Sequence, residues 1–331
     1  MGPFVSVVLP VKNGGSYLQT AVSSILNQSY PDLELLLVDD HSTDEAINYL
    51  DKSDRRLQII SSQGHGVVDA FNTGFTHSRG RFIARMDADD ISLPKRLECQ
   101  LGYLEQHREV GIAGCCVEIF SEKGIKGGLE RYQRWLNSVR SPEQVHQQMF
   151  IESPLPNPGL ILRRHVLDQL GGYRDHGWPE DYDLLLRADA AAIQMGKPDD
   201  ILLRWREHES RLTHTDEIYR REKFMQAKIH FLVTHRLEGR PVIIWGAGPT
   251  GRQVFDLLSA QEATVEGFIE VHPRRIGGQK RGLPVWSMEK VNDLGEALLL
   301  VAVGVARARQ EIAEFTSRHG KVEGQDYLFV A

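Results

Sequence analysis

The sequence predicts an α/β fold: a mostly parallel sheet covered by helices, then a helical linker, then a second, smaller α/β domain. Three observations predict it. Short apolar runs recur at residues 5–9, 33–38, 57–60 and 82–86. Apolar residues at helical spacing lie between them, and strands alternating with helices give a parallel sheet buried on both faces. After residue 240 the alternation begins afresh through a glycine-rich turn.

The elements follow in order. Residues 5–9 are ended by Pro10, and residues 33–38 by Asp39-Asp40. Leu18, Val22, Ile25 and Leu26 mark one helix face, and Ala70, Phe71 and Gly74 mark another. Residues 121–141 are polar and contain three glycines, which predicts a mobile insertion. Pro154, Pro156 and Pro158 stiffen a loop before the apolar run 160–162, and Gly171-Gly172-Tyr173 predicts a turn. A helix is expected to start near Glu180, where acidic residues suit the macrodipole. Ile218, Phe224, Met225, Ile229 and Leu232 predict a helix between domains. Its Arg220, Arg221, Lys223 and Lys228 fit either an anionic membrane surface or a solvated face. The expected boundaries are 1–212, a linker helix over 213–239, and 240–331.

Composition narrows the class. The 331 residues suggest two domains at roughly 150 residues each. Hydrophobic residues make up 41% and charged residues 25%, as in globular proteins rather than disordered ones. No apolar run approaches the roughly 20 residues of a membrane span, and residues 1–9 show no basic segment ahead of an apolar one. Cys99, Cys115 and Cys116 give neither a disulfide framework nor zinc spacing. A reduced, cytoplasmic protein is expected, with peripheral contact at the cytoplasmic membrane face left open, as is self-association. The net charge of -6 gives no reason to expect a nucleic-acid partner.

Ligands of open parallel sheets bind outside the carboxyl ends of the strands. Those ends here are Pro10-Val11-Lys12-Asn13, Asp39-Asp40 and Asp87-Ala88-Asp89-Asp90. The DxD triplet Asp87-Ala88-Asp89 offers hard oxygen ligands suited to magnesium or manganese. Helix capping by Asp89 or Asp90 explains the same residues, and Asp39-Asp40 admits a capping role too.

Several segments then occur in a recognisable order. They are residues 5–13, 23–30, 34–44, 72–74, 79–84 and 86–90. Together they resemble family 2 glycosyltransferases over residues 4–212. The resemblance implies a GT-A nucleotide-diphospho-sugar transferase domain and inversion at the anomeric carbon. It also implies a nucleotide-diphosphate sugar donor, UDP first, and a glycan or lipid-linked glycan acceptor in polysaccharide biosynthesis. By the resemblance Pro10, Val11, Asn13, Asp40, Asp87 and Ala88 line the nucleotide site. Asp87 and Asp89 hold Mn2+ or Mg2+, and His208, in Trp205-Arg206-Glu207-His208, reaches back to the metal. Trp178-Pro179-Glu180-Asp181 matches the family's Glu-Asp segment, which makes Asp181 the catalytic base and Glu180 its acceptor-side neighbour. Asp183 reads as structural. Two departures stand out: Asn157-Pro158-Gly159 where relatives carry a histidine and Pro-Ser, and Lys12 where an aromatic residue is common.

Gly246-x-Gly248-x-x-Gly251 follows a strand and opens a helix, the setting of a dinucleotide fingerprint. Glu270 stands where a ribose-binding acid would be. The segment resembles the small Rossmann-like domain of sugar acyltransferases. Three readings remain open for it: a nucleotide site at Gly246, Gly248, Gly251 and Glu270, a redox module, or a docking module whose glycines serve packing. For the whole chain, the competing reading is a nucleotide-sugar-binding regulatory or scaffold protein.

Overall fold

The computed structural model describes residues 4–331. Met1, Gly2 and Pro3, where the segment read for a leader begins, lie outside the described residues. The chain forms two compact units. The first holds the described residues up to His146 together with Pro154–Tyr219, and the second holds Gln147–Ser153 with Arg220–Ala331.

In the first unit, strands β1 (Val5–Val11), β2 (Leu33–Asp39), β3 (Leu57–Ser61) and β4 (Phe82–Arg85) come first in the chain. They are followed by β5 (Ile91–Ser92), β6 (Val110–Ala113), β7 (Cys116–Phe120), β8 (Ile161–Arg163), β9 (Gln194–Gly196) and β10 (Ile201–Arg206). The main sheet has the order β3-β2-β1-β4-β8-β6-β9, and a small sheet has the order β5-β10-β7. β3, β2, β1 and β4 are parallel, and β8 turns antiparallel against β4. β1 and β4 are buried along their whole length, so they are nearly continuous apolar runs without alternation. The polar exceptions are Ser6 near the amino end of β1 and Arg85 at the carboxyl end of β4. Ser6 Oγ donates to Glu34 Oε1 at 2.6 Å, and Arg79 Nη2 pairs with Glu34 Oε2 at 2.6 Å. A buried carboxylate persists there because its oxygens are fully engaged.

Helices Leu18–Leu26, Gly66–His77 and Arg96–Gln106 flank this sheet, and the first buries Leu18, Ala21, Val22 and Ile25. The helix after the DxD triplet begins only at Arg96, with Lys95 at its N-cap. Asp89 and Asp90 therefore do not cap it.

Residues 121–141 differ from expectation. They form a helix over Gly127–Ser138, not an open loop. Its amide side chains complete the free edge of β7. Asn137 Oδ1 accepts Val117 N–H at 2.9 Å, and Asn137 Nδ2 donates to the Val117 carbonyl at 2.8 Å. Gln133 Oε1 accepts Ile119 N–H at 2.6 Å. The edge hydrogen bonds that the polar composition concealed hold the segment in place.

In the second unit, β11 (Val242–Trp245), β12 (Val265–Ile269), β13 (Gln279–Lys280), β14 (Leu283–Trp286), β15 (Leu298–Val301) and β16 (Tyr327–Phe329) form one sheet of order β13-β14-β12-β11-β15-β16. All pairs but the short β13–β14 ladder are parallel. β11, the first of these strands in the chain, lies inside the sheet between β12 and β15. The helix expected over 213–239 forms over Arg221–His235 and lies within the second unit. Lys228 is buried, and its Nζ donates to the Ile151 carbonyl. That lysine is therefore not available to a membrane surface. Among the described residues no helix is long and apolar enough to cross a membrane.

Candidate active site

The parallel register brings the three polar clusters to one edge. Val11 pairs with Asp39, and Val8 with Arg85, so the residues that follow β1, β2 and β4 emerge side by side.

Past β1, Asn13 adopts a left-handed conformation, φ 54°, which asparagine tolerates better than most residues. Its Oδ1 accepts Thr43 N–H at 2.7 Å, and its own N–H donates to Ser42 Oγ at 3.0 Å. This ties the turn after β1 to the turn after β2. Asp40 N–H donates to the Val11 carbonyl at 2.8 Å. Asp40 is 4% exposed. Its Oδ2 accepts Gly66 N–H at 3.0 Å and faces Lys12 Nζ at 3.8 Å. Oδ1 has no hydrogen-bond partner. The His41 and His65 rings lie beside it, 4.3 Å apart. A buried carboxylate oxygen left unpaired is costly and calls for an external donor.

Past β4, ligand atoms of Asp87, Asp89 and Asp90 lie within 4.8 Å of one another. Asp87 Oδ1 is paired with Arg85 Nη2 at 2.6 Å. Asp89 Oδ2 meets His208 Nε2 at 2.8 Å. Asp90 Oδ1 accepts Arg206 N–H at 2.7 Å, while Oδ2 has no partner. Burial, then mutual repulsion within the triplet, pushes the Asp87 and Asp90 carboxyls upward. A cation would relieve both effects. The triplet is all hard oxygen, and one buried oxygen still lacks a donor, so the residues fit a divalent ion. Ala88, between two of them, packs on the apolar core.

Opposite, Pro179 precedes the helix Glu180–Ala190. Glu180 is 2% exposed, and its Oε2 accepts the Tyr219 O–H at 2.8 Å. Burial, then repulsion from Asp181, lifts Glu180 to about 8. Burial, together with repulsion from Asp87, lifts Asp181 to about 6 against the pull of Arg85. Asp181 is thus brought within electrostatic reach of the DxD triplet. Asp183 is spoken for: Trp178 Nε1 donates to Oδ1 at 3.0 Å and Arg187 Nε to Oδ2 at 2.6 Å. At the neighbouring departure from the family pattern, Asn157 Oδ1 accepts the Tyr173 O–H.

Three groups escape a reading of the sequence. Arg85 is 3% exposed and lies beneath the triplet. Arg96, fully buried, donates from Nη2 to the Arg85 carbonyl at 2.7 Å and braces that strand end. Arg206 donates from Nε to the Asp89 carbonyl at 2.7 Å, with its guanidinium 4.2 Å from the Tyr17 ring centroid. A signal for Arg85 exists: it is a charged residue inside a buried apolar strand, two places before Asp87 and hence on the same face.

In the second unit, the glycine turn lies between β11 and the helix Pro249–Ala260. Gly246 has φ 113°, and a Cβ on Gly251 would lie 1.8 Å from the Gly246 carbonyl oxygen. Backbone conformation at Gly246 and close packing at Gly251 therefore each call for glycine. Glu270 stands at the end of β12 with its carboxylate engaged. Oε1 accepts Val271 N–H at 2.9 Å, and Oε2 pairs with Arg275 Nη1 at 3.0 Å. Each group of predicted residues is local to its own unit.

Comparison with known proteins identifies the family and the fold. The model of glycosyl transferase family 2 matches residues 6–171. An uncharacterized glycosyltransferase of Haemophilus influenzae is 31% identical over 237 residues, covering 68% of this chain and 71% of its own. The O-antigen biosynthesis glycosyltransferase WbnJ of Escherichia coli is 27% identical, covering 62% of this chain and 80% of its own. Among solved structures, Staphylococcus aureus TarS in complex with UDP-GlcNAc is similar with a TM-score of 0.56 and 17% identity, over 71% of this chain and 68% of that one. That likeness is one of fold, the GT-A arrangement. The chain belongs to glycosyl transferase family 2.

Proposed function

We propose that the chain is an inverting, metal-dependent glycosyltransferase of polysaccharide biosynthesis, moving a sugar from a nucleoside-diphosphate donor, UDP-linked, to a hydroxyl of a glycan or lipid-linked glycan. The observation that carries this is the convergence, at one sheet edge, of two buried carboxylates with an unpartnered oxygen each, Asp40 and Asp90. TarS is described with UDP-GlcNAc and WbnJ as an O-antigen enzyme, which supports a nucleotide-sugar donor and a glycan product.

In this reading Asp40 Oδ1 accepts an N–H of the nucleobase, with Pro10, Val11 and Asn13 forming the rest of that pocket. Asp89, with Asp87 and Asp90 within reach and His208 adjacent, would hold Mn2+ or Mg2+. Such an ion, when bound, stabilises charge developing on the leaving diphosphate. Arg85 keeps Asp87 in place. Asp181 accepts the proton of the attacking hydroxyl, and its pKa of about 6 leaves it ionised yet basic near neutral pH. Glu180 faces the acceptor. The acceptor oxygen gains the anomeric carbon as the diphosphate oxygen leaves with the bonding pair.

The test is calorimetric titration of the full chain with UDP and GDP, with and without manganese. Manganese-dependent binding of UDP, lost in Asp40→Ala, is the expected result. Tight nucleotide binding without any turnover, across donors and acceptors, would favour the sensing or scaffold reading instead. For the second unit we propose packing and docking as the use of its glycines, with nucleotide binding at Gly246, Gly248 and Gly251 the alternative. The engaged state of Glu270 supports the former.

A further inference from the structure

Tyr219 is the last residue of the first unit, at the end of the short turn Glu217–Tyr219. It is half-buried, belongs to none of the motifs that define the site, and makes the hydrogen bond to Glu180 described above. The stretch of chain that delivers it also delivers His208 to Asp89. One continuous segment thus meets the diphosphate end of the site through His208 and the acceptor end through Tyr219.

The two adjacent carboxyls are chemically alike and differ in their partners. The Asp181 carboxylate is met by amides of its own helix, from Tyr182 at 2.7 Å and from its own N–H. Glu180 Oε2 is held by a side chain from outside the helix. We propose that Tyr219 is a positioning residue for the acceptor side. Its hydroxyl fixes Glu180 by Oε2, so that Glu180 orients the acceptor through its other oxygen while Asp181 alone is free to take the proton. The inference rests on the assignment of Asp181 as base made above. The charged and titratable groups acting on this pair are Arg85 at the end of β4, Asp87 just past it, Tyr173, Tyr219, and the two carboxyls on each other. Of these, the Tyr219 hydroxyl lowers Glu180 by hydrogen bonding, against burial and against Asp181.

The test uses the full chain with glutamate side-chain carboxyls labelled with 13C, titrated by NMR without substrate. The Glu180 signal is assigned by its loss in Glu180→Gln. In Tyr219→Phe the Glu180 midpoint should rise by about one unit, roughly tenfold in proton affinity, with manganese-dependent UDP affinity unchanged. A midpoint identical to wild type overturns the proposal. So does a parallel loss of UDP affinity, which would mark Tyr219 as a general structural support. The assignment of Asp181 fails separately: an Asp181→Asn variant with full turnover removes the base, whatever the Glu180 titration shows.

Discussion

The two units carry similar-looking signals at the same place in their sheets, and the structure treats them oppositely. Each has acidic residues past a central parallel strand, at the edge where such sheets bind ligands. In the first unit the charges are unfinished. Asp40 Oδ1 and Asp90 Oδ2 are buried without partners, and burial raises Asp87, Asp90, Glu180 and Asp181. In the second unit the charge is finished. Glu270 has Arg275 and two backbone amides, Val271 and His272, as donors, and they lower its carboxyl despite burial. Every buried side-chain polar atom found without a partner among the described residues lies in the first unit. Destabilised charge at the ligand edge of the sheet marks chemistry, and satisfied charge marks architecture.

The largest effect should come from the triplet. Asp89→Ala is expected to lower sugar transfer by about a thousandfold, the size of losing a principal electrostatic stabiliser, with the fold intact by circular dichroism. Turnover within about tenfold of wild type would mean that Asp89 holds nothing needed in the transition state, and the contrast between the units would lose its functional half. Next, Asp181→Asn should cost about a hundredfold or more in turnover while UDP affinity stays unchanged. In the wild type the base works only when ionised. Transfer should therefore fall as pH drops through about 6, and a rate–pH profile flat from about pH 8 to about pH 5 would remove Asp181 from that role.

Glu180 links chemistry to stability. Its folded-state pKa is raised to about 8, so the folded protein favours the protonated form. The associated stability is present below the ordinary carboxyl range and is lost as pH rises through about 8. Glu180→Gln, which cannot ionise, should gain on the order of 5 kcal/mol at about pH 9 and almost nothing at about pH 4. That is on the order of ten degrees in melting temperature for a unit of this size. Equal stabilities at both pH values would show that the burial of Glu180 is relieved in some other way.

How much of this is legible in the sequence differs between residues. The strands and the three polar clusters are readable because parallel strands are unbroken apolar runs, and the residues that end them must face the ligand edge. Asp40, Asp87, Asp89, Glu180 and Asp181 are reached that way, or by resemblance to the family. Arg85, Arg96 and Arg206 are not, since what makes them matter is which oxygen each touches across the fold. The helix Gly127–Ser138 reads as a loop because Asn137 and Gln133 look like solvent-facing residues until an unpaired strand edge lies beside them. Glu270 is marked by its position, whereas its donor, Arg275, depends on how the turn after β12 folds back.

The smallest effect tests the other side of the comparison. Glu270 has a depressed pKa because hydrogen bonds from Arg275 and the backbone outweigh burial. Its contribution to stability is present above the ordinary carboxyl range and lost as pH falls below it. Arg275 is 58% exposed on its side chain, so screening limits the pair. Glu270→Gln should cost about 1 kcal/mol at about pH 7 and close to nothing at about pH 3, as read by urea unfolding of the full chain. The same variant should leave manganese-dependent UDP affinity and transfer unchanged, because a carboxylate already holding three donors has little left to offer a ribose. A loss of nucleotide affinity in Glu270→Gln, larger than its loss of stability, would place a ligand at the second glycine turn after all. Satisfied charge could then no longer be taken as the mark of architecture in this molecule.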